Sequence, residues 1–415
     1  MFFSLNIELL FSRKIQGHKQ HKNTASARIT NIATLAVSIG IAAIILAAST
    51  SKGLQKEIQK KTSVFNGHVL VTLFENNESQ VSVIPLKDNT DLRNKLKSVK
   101  NISNLHPIIL KAGMLKSNSE FEGVLFKGVS SEFDWSILKS FIIEGTFPKL
   151  SKDISNEILI SKNIADRLSL ELGSKIQGYF QNQSSNKIPS KRIFTVSGIY
   201  SSGFPDIDDN LVYLDLLQLQ KLNRWKKNDI GAFEIFVDKY SDIEKTSNFI
   251  YNEIPSDLNS IPINRRFSGI YQWIALFDFN VLIILLVMLI VGIINMATNL
   301  LVLILERSRM IGLLKAIGAQ NITIQKIFLY SGAQIMFRGL FYGNLVGLGF
   351  YFAQKYFGII KLDPTTYFVD IAPVYISVLE VLFLNLLFLT ISLLMLWIPS
   401  RIILKISPSN VLRLS

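Results

Sequence analysis

The feature that most constrains this chain is an apolar run at residues 281–305, which contains no charged side chain. A helix of about 25 residues is long enough to cross a hydrocarbon layer of roughly 30 Å. The run stops at Glu306-Arg307-Ser308-Arg309, and residues 310–318 follow with apolar side chains at helical spacing. Two interpretations of this second stretch stay open: a helix that lies on the membrane surface, or a helix that transmits the movement of a soluble partner to the membrane-spanning helices.

The composition indicates that part of the chain is in a membrane and part is soluble. Of 415 residues, 49% are hydrophobic and 18% are charged. The net charge of +13 comes largely from basic residues beside apolar segments, where anionic lipid favours them, so no nucleic acid is expected as a partner. The chain has no cysteine, and it lacks the G-x-x-x-x-G-K-[ST], G-x-S-x-G and H-E-x-x-H patterns. The sequence therefore predicts no catalytic, cofactor or metal site.

Four apolar segments predict transmembrane helices, at residues 29–50, 274–305, 321–353 and 374–398. The first segment is too long, and starts too far along the chain, for a cleavable signal peptide, so it is expected to stay as an anchor. Basic residues cluster before the first helix, between the second and third, and after the fourth. The positive-inside rule then predicts cytoplasmic termini, a cytoplasmic connection at 306–320 and an outer segment at 51–273.

The outer segment is long enough to bury a core of its own. Alternating or β-rich runs predict strands at 68–74, 157–160, 192–200 and 232–237. Helical spacing predicts helices at 90–99, 162–170, 215–222 and 241–254. The predicted fold is an α-helical membrane protein with four transmembrane helices and an α+β extracytoplasmic domain, of one or two subdomains, inserted between helices 1 and 2. The remaining segments are a cytoplasmic amphipathic stretch, an outer loop and a cytoplasmic tail, at residues 1–28, 354–373 and 399–415.

Two further patterns bear on packing and binding. Gly339, Gly343 and Gly347 recur every four residues in the third helix, a ridge that lets another helix approach closely. The polar insertion at 181–190 has an apolar Ile188-Pro189 tip and is interpreted either as a solvated hairpin loop or as a partner-binding loop. Two interpretations stay open for three ionisable residues: a position at the membrane interface, or an ion pair inside the helix bundle. These residues are Arg338, Glu380 and Asp278.

Together these segments resemble the transmembrane subunit of lipoprotein-releasing ABC transporters, within a wider family of four-helix permeases with a large outer domain. The segment ILERSRMIGLLKAIGA at 304–319 is typical of the whole permease family. The pieces at 28–40 and 273–280, with LDPTTYFVD at 362–370, narrow the resemblance to the lipoprotein-releasing branch. The resemblance covers nearly the whole chain and implies a multi-pass protein of the bacterial inner membrane.

The resemblance implies three functional sites. A coupling segment that meets a cytoplasmic ATPase would consist of Glu306, Arg307, Arg309, Met310, Ile311, Leu313 and Leu314. An acyl cleft for the lipoprotein would be lined by Val37, Ile41, Ile44, Ile45 and Leu46 on the first helix and by Met288, Val291, Ile294, Asn295 and Met296 on the second. A loop that binds a carrier protein would contain Lys187, Ile188 and Pro189.

The implied function is that of a non-catalytic permease subunit that extracts lipoproteins from the outer leaflet of the inner membrane and passes them to a periplasmic carrier. ATP and Mg would be bound by a separate cytoplasmic ABC ATPase, and this chain would hold no cofactor. Further partners are a second permease subunit, of the same or a related chain, the lipoprotein substrates and membrane lipid. Two alternatives are an extruder-type permease for peptides or drugs, and a mechanotransmission subunit that regulates a cell-wall hydrolase.

Overall fold

A computed structural model describes residues 25–76, 81–117, 120–181, 189–367, 369–401 and 403. The chain divides into two compact units. The helical unit contains residues up to 55, 274–361 and those from 371 onward, and the α+β unit contains residues 56–273 and 362–370. Most of the predicted amphipathic segment 1–28 and of the tail 399–415 lies outside the described residues.

The helices of the described chain are, in order, α1 Ala25–Asn66, α2 Thr90–Ser98, α3 Lys162–Arg167, α4 Pro205–Asp208, α5 Leu216–Asn223, α6 Ile243–Glu253, α7 Ile263–Arg266, α8 Ser268–Glu306, α9 Ser308–Ala316, α10 Asn321–Phe357, α11 Pro364–Tyr367 and α12 Val378–Ser400. The strands are β1 Val69–Leu73, β2 Leu86–Lys87, β3 Ile102–Lys116, β4 Phe121–Val129, β5 Ile142–Gly145, β6 Glu157–Ser161, β7 Lys175–Phe180, β8 Ser190–Tyr200, β9 Leu211–Asp215, β10 Asp229–Ile230, β11 Ala232–Val237 and β12 Leu258–Pro262.

Helix α1 is longer than the predicted segment 29–50 and does not stop at the polar residues that follow the apolar run. Residues 51–66 contain no proline, and the helix ends only before Gly67, whose φ of +68° is a left-handed conformation that glycine adopts without strain. The amide of Gly67 donates to the carbonyl oxygen of Ser63 at 2.8 Å. The α+β unit therefore begins at residue 56, and not at residue 51 as the sequence suggested.

Within the described residues, α1, α8 and α12 are the helices both long and apolar enough to cross a membrane. Helix α10, which contains the predicted third span, has 37 residues. It is not among these three because glycine, asparagine, glutamine and Arg338 interrupt its apolar residues. Helix α12 begins at Val378 and is preceded by a non-helical stretch, so it starts later than the predicted residue 374.

The α+β unit is built around one sheet of ten strands. Nine of them have the order β12-β1-β11-β3-β4-β9-β6-β8-β5, and the tenth, β7, pairs with both β3 and β8. Strands β2 and β10 form a separate two-stranded ladder. The predicted strands and helices of this segment are confirmed within a few residues. These elements form one of the two compact units of the chain.

Each unit has its own apolar core. In the α+β unit the sheet and the helices bury aliphatic and aromatic side chains such as Phe126, Phe194 and Phe233. In the helical unit the buried set includes Val37, Ile41 and Met296, and it extends to Ile311 on the short helix α9. Burial of such side chains away from solvent is the main favourable contribution to the α+β unit.

Candidate functional site

Helix α9 begins two residues after the end of α8. Arg307 separates them, and its backbone (φ −97°, ψ 14°) leaves the helical region. Ile311 is fully buried, and Met310 and Leu314 are partly buried against the same core. These three positions share one face of the helix because they are separated by one, three and four residues. Helix α9 is therefore fixed to the helical unit by its inner face.

The opposite face of α9 is exposed and apolar. Leu313 is 58% exposed and Ile317, directly after the helix, is 72% exposed. Arg309, four residues before Leu313, is exposed on the same face, and Glu306 is exposed at the end of α8. Apolar side chains grouped with charges in this way are typical of a surface that binds a partner.

Lys315 supplies a second attachment for α9. Its Nζ donates to the carbonyl oxygen of Ile403 at 2.8 Å, and desolvation lowers the pKa of this lysine. Ile403 is itself completely buried. Helix α9 is thus attached at two places, to the apolar core of the helical unit and to the chain that follows α12.

The predicted coupling residues divide between the two faces of α9. On α9, Arg309 and Leu313 lie on the exposed face, whereas Met310, Ile311 and Leu314 pack inward; before the helix, Glu306 is exposed and Arg307 is half-buried. Only Glu306, Arg309 and Leu313 are therefore available to an ATPase. Contact with an ATPase stays a prediction.

The glycine ridge of α10 packs directly on α1, which confirms the close approach that its spacing predicts. A Cβ at Gly339 would lie 2.6 Å from Cγ1 of Val37, and one at Gly343 would lie 2.8 Å from Cβ of Ile41. The hydroxyl of Ser38 adds a hydrogen bond of 3.0 Å to the carbonyl oxygen of Gly339. Small residues let the two backbones approach closely enough for this bond.

This packing changes the interpretation of the predicted acyl cleft. Val37, Ile41, Ile44 and Ile45 are at most 2% exposed and form the inner face of α1, so they line no open surface of this chain. On α8, Met296 is buried, Met288 and Asn295 are half-buried, and Val291 and Ile294 are exposed. Of the predicted residues on α1, Leu46 is the one that contributes to the groove described below. The resemblance placed the four buried, apolar side chains of α1 in a cleft, but apolar character alone does not distinguish a core position from a ligand position.

A groove of about 590 Å³ runs along α1 on the side that faces away from this core. Leu35, Ile39 and Leu46 of α1 and Tyr342 and Val346 of α10 contribute to its lining. The lining is almost entirely apolar, and Leu35 and Ile39 are well exposed. An alkyl chain fits the chemistry of this groove.

The predicted carrier-binding loop is only partly described. Lys187 and Ile188 lie outside the described residues, and Pro189 is exposed immediately before β8. Strands β7 and β8 pair antiparallel up to Phe180 and Ser190, so the insertion connects the two strands of a hairpin. A hairpin connection was one of the two interpretations of the insertion. Its role in binding a carrier stays a prediction.

A buried ion pair that the sequence did not predict lies in the α+β unit. Lys127 of β4 and Glu234 of β11 form it at 2.6 Å, with both side chains 2% exposed. Burial lowers the pKa of Lys127, and Glu234 opposes that change. The signal available was a lone lysine between apolar residues in Val124-Leu125-Phe126-Lys127, because a charge in a buried strand requires a partner.

The ionisable residues of the helices also have definite positions. Arg338 is exposed. Glu380 pairs with Lys52, and Asp278 accepts a hydrogen bond of 2.9 Å from Nε2 of Gln55. Both carboxylates are therefore engaged by α1, which the sequence analysis left open.

The order of these elements defines an integral membrane protein with a folded α+β unit between its first two apolar helices and a short amphipathic helix after the second. Comparison with protein families agrees with this class. The MacB-like periplasmic core domain matches residues 30–248, and the FtsX-like permease C-terminal domain matches residues 282–408. The chain belongs to this family of membrane permeases with a MacB-like periplasmic core domain, and it is an inner-membrane protein.

Several proteins are similar to this chain over almost their whole length. The transmembrane protein LolE of the lipoprotein-releasing system of Haemophilus influenzae is 21% identical, with 98% of this chain and 99% of LolE covered. The corresponding LolC protein of Neisseria meningitidis is 22% identical, with 94% and 95% covered. An uncharacterized membrane protein of Buchnera aphidicola is 25% identical, with 95% and 96% covered.

Proposed function

We propose that this chain is the permease subunit of an ATP-driven transporter that extracts lipoproteins from the outer leaflet of the inner membrane and passes them to a periplasmic carrier. The observation that carries the proposal is the end-to-end similarity to the LolE and LolC proteins, whose names assign them to lipoprotein release. The similarity includes the α+β unit, all the long helices and α9. A shared permease domain alone would leave the cargo open.

The proposed topology has four membrane-spanning helices, with α10 as the third. Its length of 37 residues corresponds to about 55 Å, which exceeds the hydrocarbon thickness. Phe337, Phe341, Leu345 and Val346 are between 57% and 66% exposed on this helix, as expected for side chains that face lipid. Cytoplasmic termini and a cytoplasmic α9 follow from the distribution of basic residues.

Energy for the transport would come from a partner ATPase, since the sequence lacks a phosphate-binding loop. The ATPase would hold ATP and Mg and would bind the exposed face of α9 through Leu313 and Arg309 and the end of α8 through Glu306. Because α9 packs on the helical core through Ile311, a displacement of α9 moves that core. A second permease subunit, of the same or a related chain, would complete the transporter.

Lipoprotein cargo explains why such a transporter needs ATP. Each buried CH2 group of an acyl chain contributes about 0.8 kcal/mol to membrane binding, so a protein with several chains does not leave the bilayer unaided. The apolar groove beside Leu35 and Ile39 offers a surface on which an extracted chain can lie.

The test is reconstitution of the chain, with the ATPase that copurifies with it, in vesicles that contain an acylated lipoprotein. Addition of ATP should cause release of the lipoprotein to a soluble carrier, and the same protein without its acyl chains should not be transported. ATP-dependent export of peptides or drugs without lipoprotein release would instead identify an extruder. A cell-wall hydrolase that is activated without any lipid cargo would identify the mechanotransmission alternative.

A further inference from the structure

Helix α1 is held near residues 49–53 by the stretch of chain that leads into α12. We call this stretch, residues 373–380, the clasp. The amide of Tyr375 donates to the carbonyl oxygen of Ser49 at 2.9 Å, and Ser49 is completely buried. Glu380, in the first turn of α12, forms an ion pair with Lys52.

Gly53 makes the closest approach in this contact. A Cβ built on Gly53 would lie 2.1 Å from the carbonyl oxygen of Pro373 and 2.8 Å from Cα of Val374. Both atoms are backbone atoms, so no side-chain rotation relieves the overlap. Glycine in the middle of a helix normally destabilises it relative to alanine. Its presence here is explained by the contact with the clasp.

The clasp is also stabilised by hydrogen bonds between its own residues. The hydroxyl of Ser377 accepts from the amide of Glu380 at 3.3 Å, and the amide of Ser377 donates to the Glu380 carboxylate at 2.9 Å. This reciprocal arrangement is a capping box at the start of α12. The same carboxylate thus orders the helix start and binds Lys52.

The contacts differ in what they contribute. The Lys52 and Glu380 side chains are 41% and 31% exposed, and a partly exposed ion pair contributes little to stability. Separation at Ser49 and Gly53 would instead open a backbone-to-backbone contact and break the hydrogen bond from the amide of Tyr375 to the carbonyl oxygen of the buried Ser49. Packing and the backbone bond therefore determine the position of α1.

We propose that the clasp stays closed throughout the transport cycle, so that α1 at residues 49–53 and the start of α12 move as one body. Gly53 is the positioning residue that permits this contact. The proposal rests on the proposed function, since it concerns movement during transport. It excludes a cycle in which α1 separates from α12 at this point.

The first test replaces Gly53 with alanine in the complete complex with its ATPase. Gly53→Ala should displace the clasp and lower the amount of lipoprotein released per ATP hydrolysed by about fivefold or more, in the usual range of coupling between sites. The matched control is Gly349→Ala in α10, because a Cβ at Gly349 meets no atom within 4 Å. Wild-type release per ATP in Gly53→Ala would overturn the proposal, whereas a folding defect would lower hydrolysis and release together.

The second test holds the clasp shut. The chain has no native cysteine, so Lys52→Cys and Glu380→Cys are combined and joined by a short bismaleimide, with each single variant treated alike as a control. Release within about twofold of the untreated double variant is expected; a loss by about tenfold or more would overturn the proposal. Failure of the untreated wild-type complex to release lipoprotein would instead contradict the proposed function.

Discussion

The ammonium nitrogen of Lys127 lies 2.6 and 2.7 Å from the two carboxylate oxygens of Glu234. The same nitrogen donates at 2.8 Å to the carbonyl oxygen of Phe65, in the last turn of α1. Carbonyl groups in the last turn of a helix lack a partner inside that helix, and a cation there is favoured by the helix dipole. This buried pair therefore joins the end of α1 to strands β4 and β11.

Breaking this pair should destabilise the α+β unit strongly. Glu234→Gln removes the counter-charge of a lysine that is itself 2% exposed. Loss of one partner of a buried pair costs about 3–5 kcal/mol of unfolding free energy. Thermal unfolding of the purified full-length chain in detergent measures the change.

The matched control for that experiment is Glu244→Gln. Glu244 pairs with Arg265 at 3.1 Å, but the two side chains are 42% and 62% exposed. Loss of an exposed pair costs at most about 1 kcal/mol. Equal unfolding temperatures for the two variants would show that the buried pair contributes no more to stability than the exposed pair.

The stability of the α+β unit should fall in mild acid because of His68. Burial lowers the pKa of His68 from 6.5 to about 4, and its Nδ1 accepts from the amide of Val237 at 2.9 Å. The folded state then binds this proton more weakly than the unfolded state. The contribution of neutral His68 to the unfolding free energy is present in full above pH 6.5. It is lost as the pH falls towards 4, and the loss is at most about 3 kcal/mol.

His68→Gln tests this pH dependence, because an amide oxygen can accept the Val237 hydrogen bond without titrating. The variant should lose less unfolding free energy than the wild type between pH 7 and pH 4. Burial also lowers the pKa of His106, and this histidine is present in both proteins, so its effect cancels in the comparison. An identical slope in the two proteins would exclude His68 as the source.

Leu313→Asp should uncouple ATP hydrolysis from lipoprotein release. Leu313 is exposed, so the aspartate does not disturb the core, but it should weaken ATPase docking by at least about tenfold, equivalent to 1.4 kcal/mol. Copurification and release assays measure the effect, and Glu306→Ala with Arg309→Ala should act in the same direction. Val83→Asp, an exposed apolar residue of the α+β unit, is the control. Normal transport by Leu313→Asp would remove the coupling assignment.

The orientation of the chain should be visible with single cysteines. A cysteine at Leu313 should react with an impermeant thiol reagent only after the membrane is opened, whereas one at Phe249 should react in intact spheroplasts. Both positions are exposed, at 58% and 63%, so a difference in labelling reports sidedness and not burial. Labelling of the Leu313 cysteine in intact spheroplasts would reverse the topology.

Replacement of Ile188-Pro189 with Gly-Ser should weaken capture of the carrier and slow lipoprotein release. An apolar residue next to a proline can enter a partner's pocket at low ordering cost, because proline already restricts the backbone. Basal ATP hydrolysis and folding should stay unchanged, since the insertion connects β7 to β8 and the described Pro189 is exposed. Full release to the carrier by this variant would remove the loop from the mechanism but would leave the transporter assignment standing.

Local patterns were sufficient for much of this protein. The apolar runs predicted the long helices, and alternation predicted strands such as β6 and β11, because both depend on side chains close in sequence. Helical spacing also predicted the amphipathic helix α9, although it did not separate the buried Ile311 from the exposed Leu313. The glycine ridge of α10 indicated a close helix contact, although it did not identify α1 as the partner.

The sequence by itself determined that this is a membrane protein with an α+β unit between its first two apolar helices and a short amphipathic helix after the second. Only the tertiary structure decided which face of α1 is buried, because nearly every face of that helix is apolar and hydropathy gives no direction. Tertiary structure also brought Lys127 to Glu234 across 107 residues and Lys52 to Glu380 across 328 residues. Such pairs are set by the packing of distant segments, which leaves no periodic trace in the sequence around either residue.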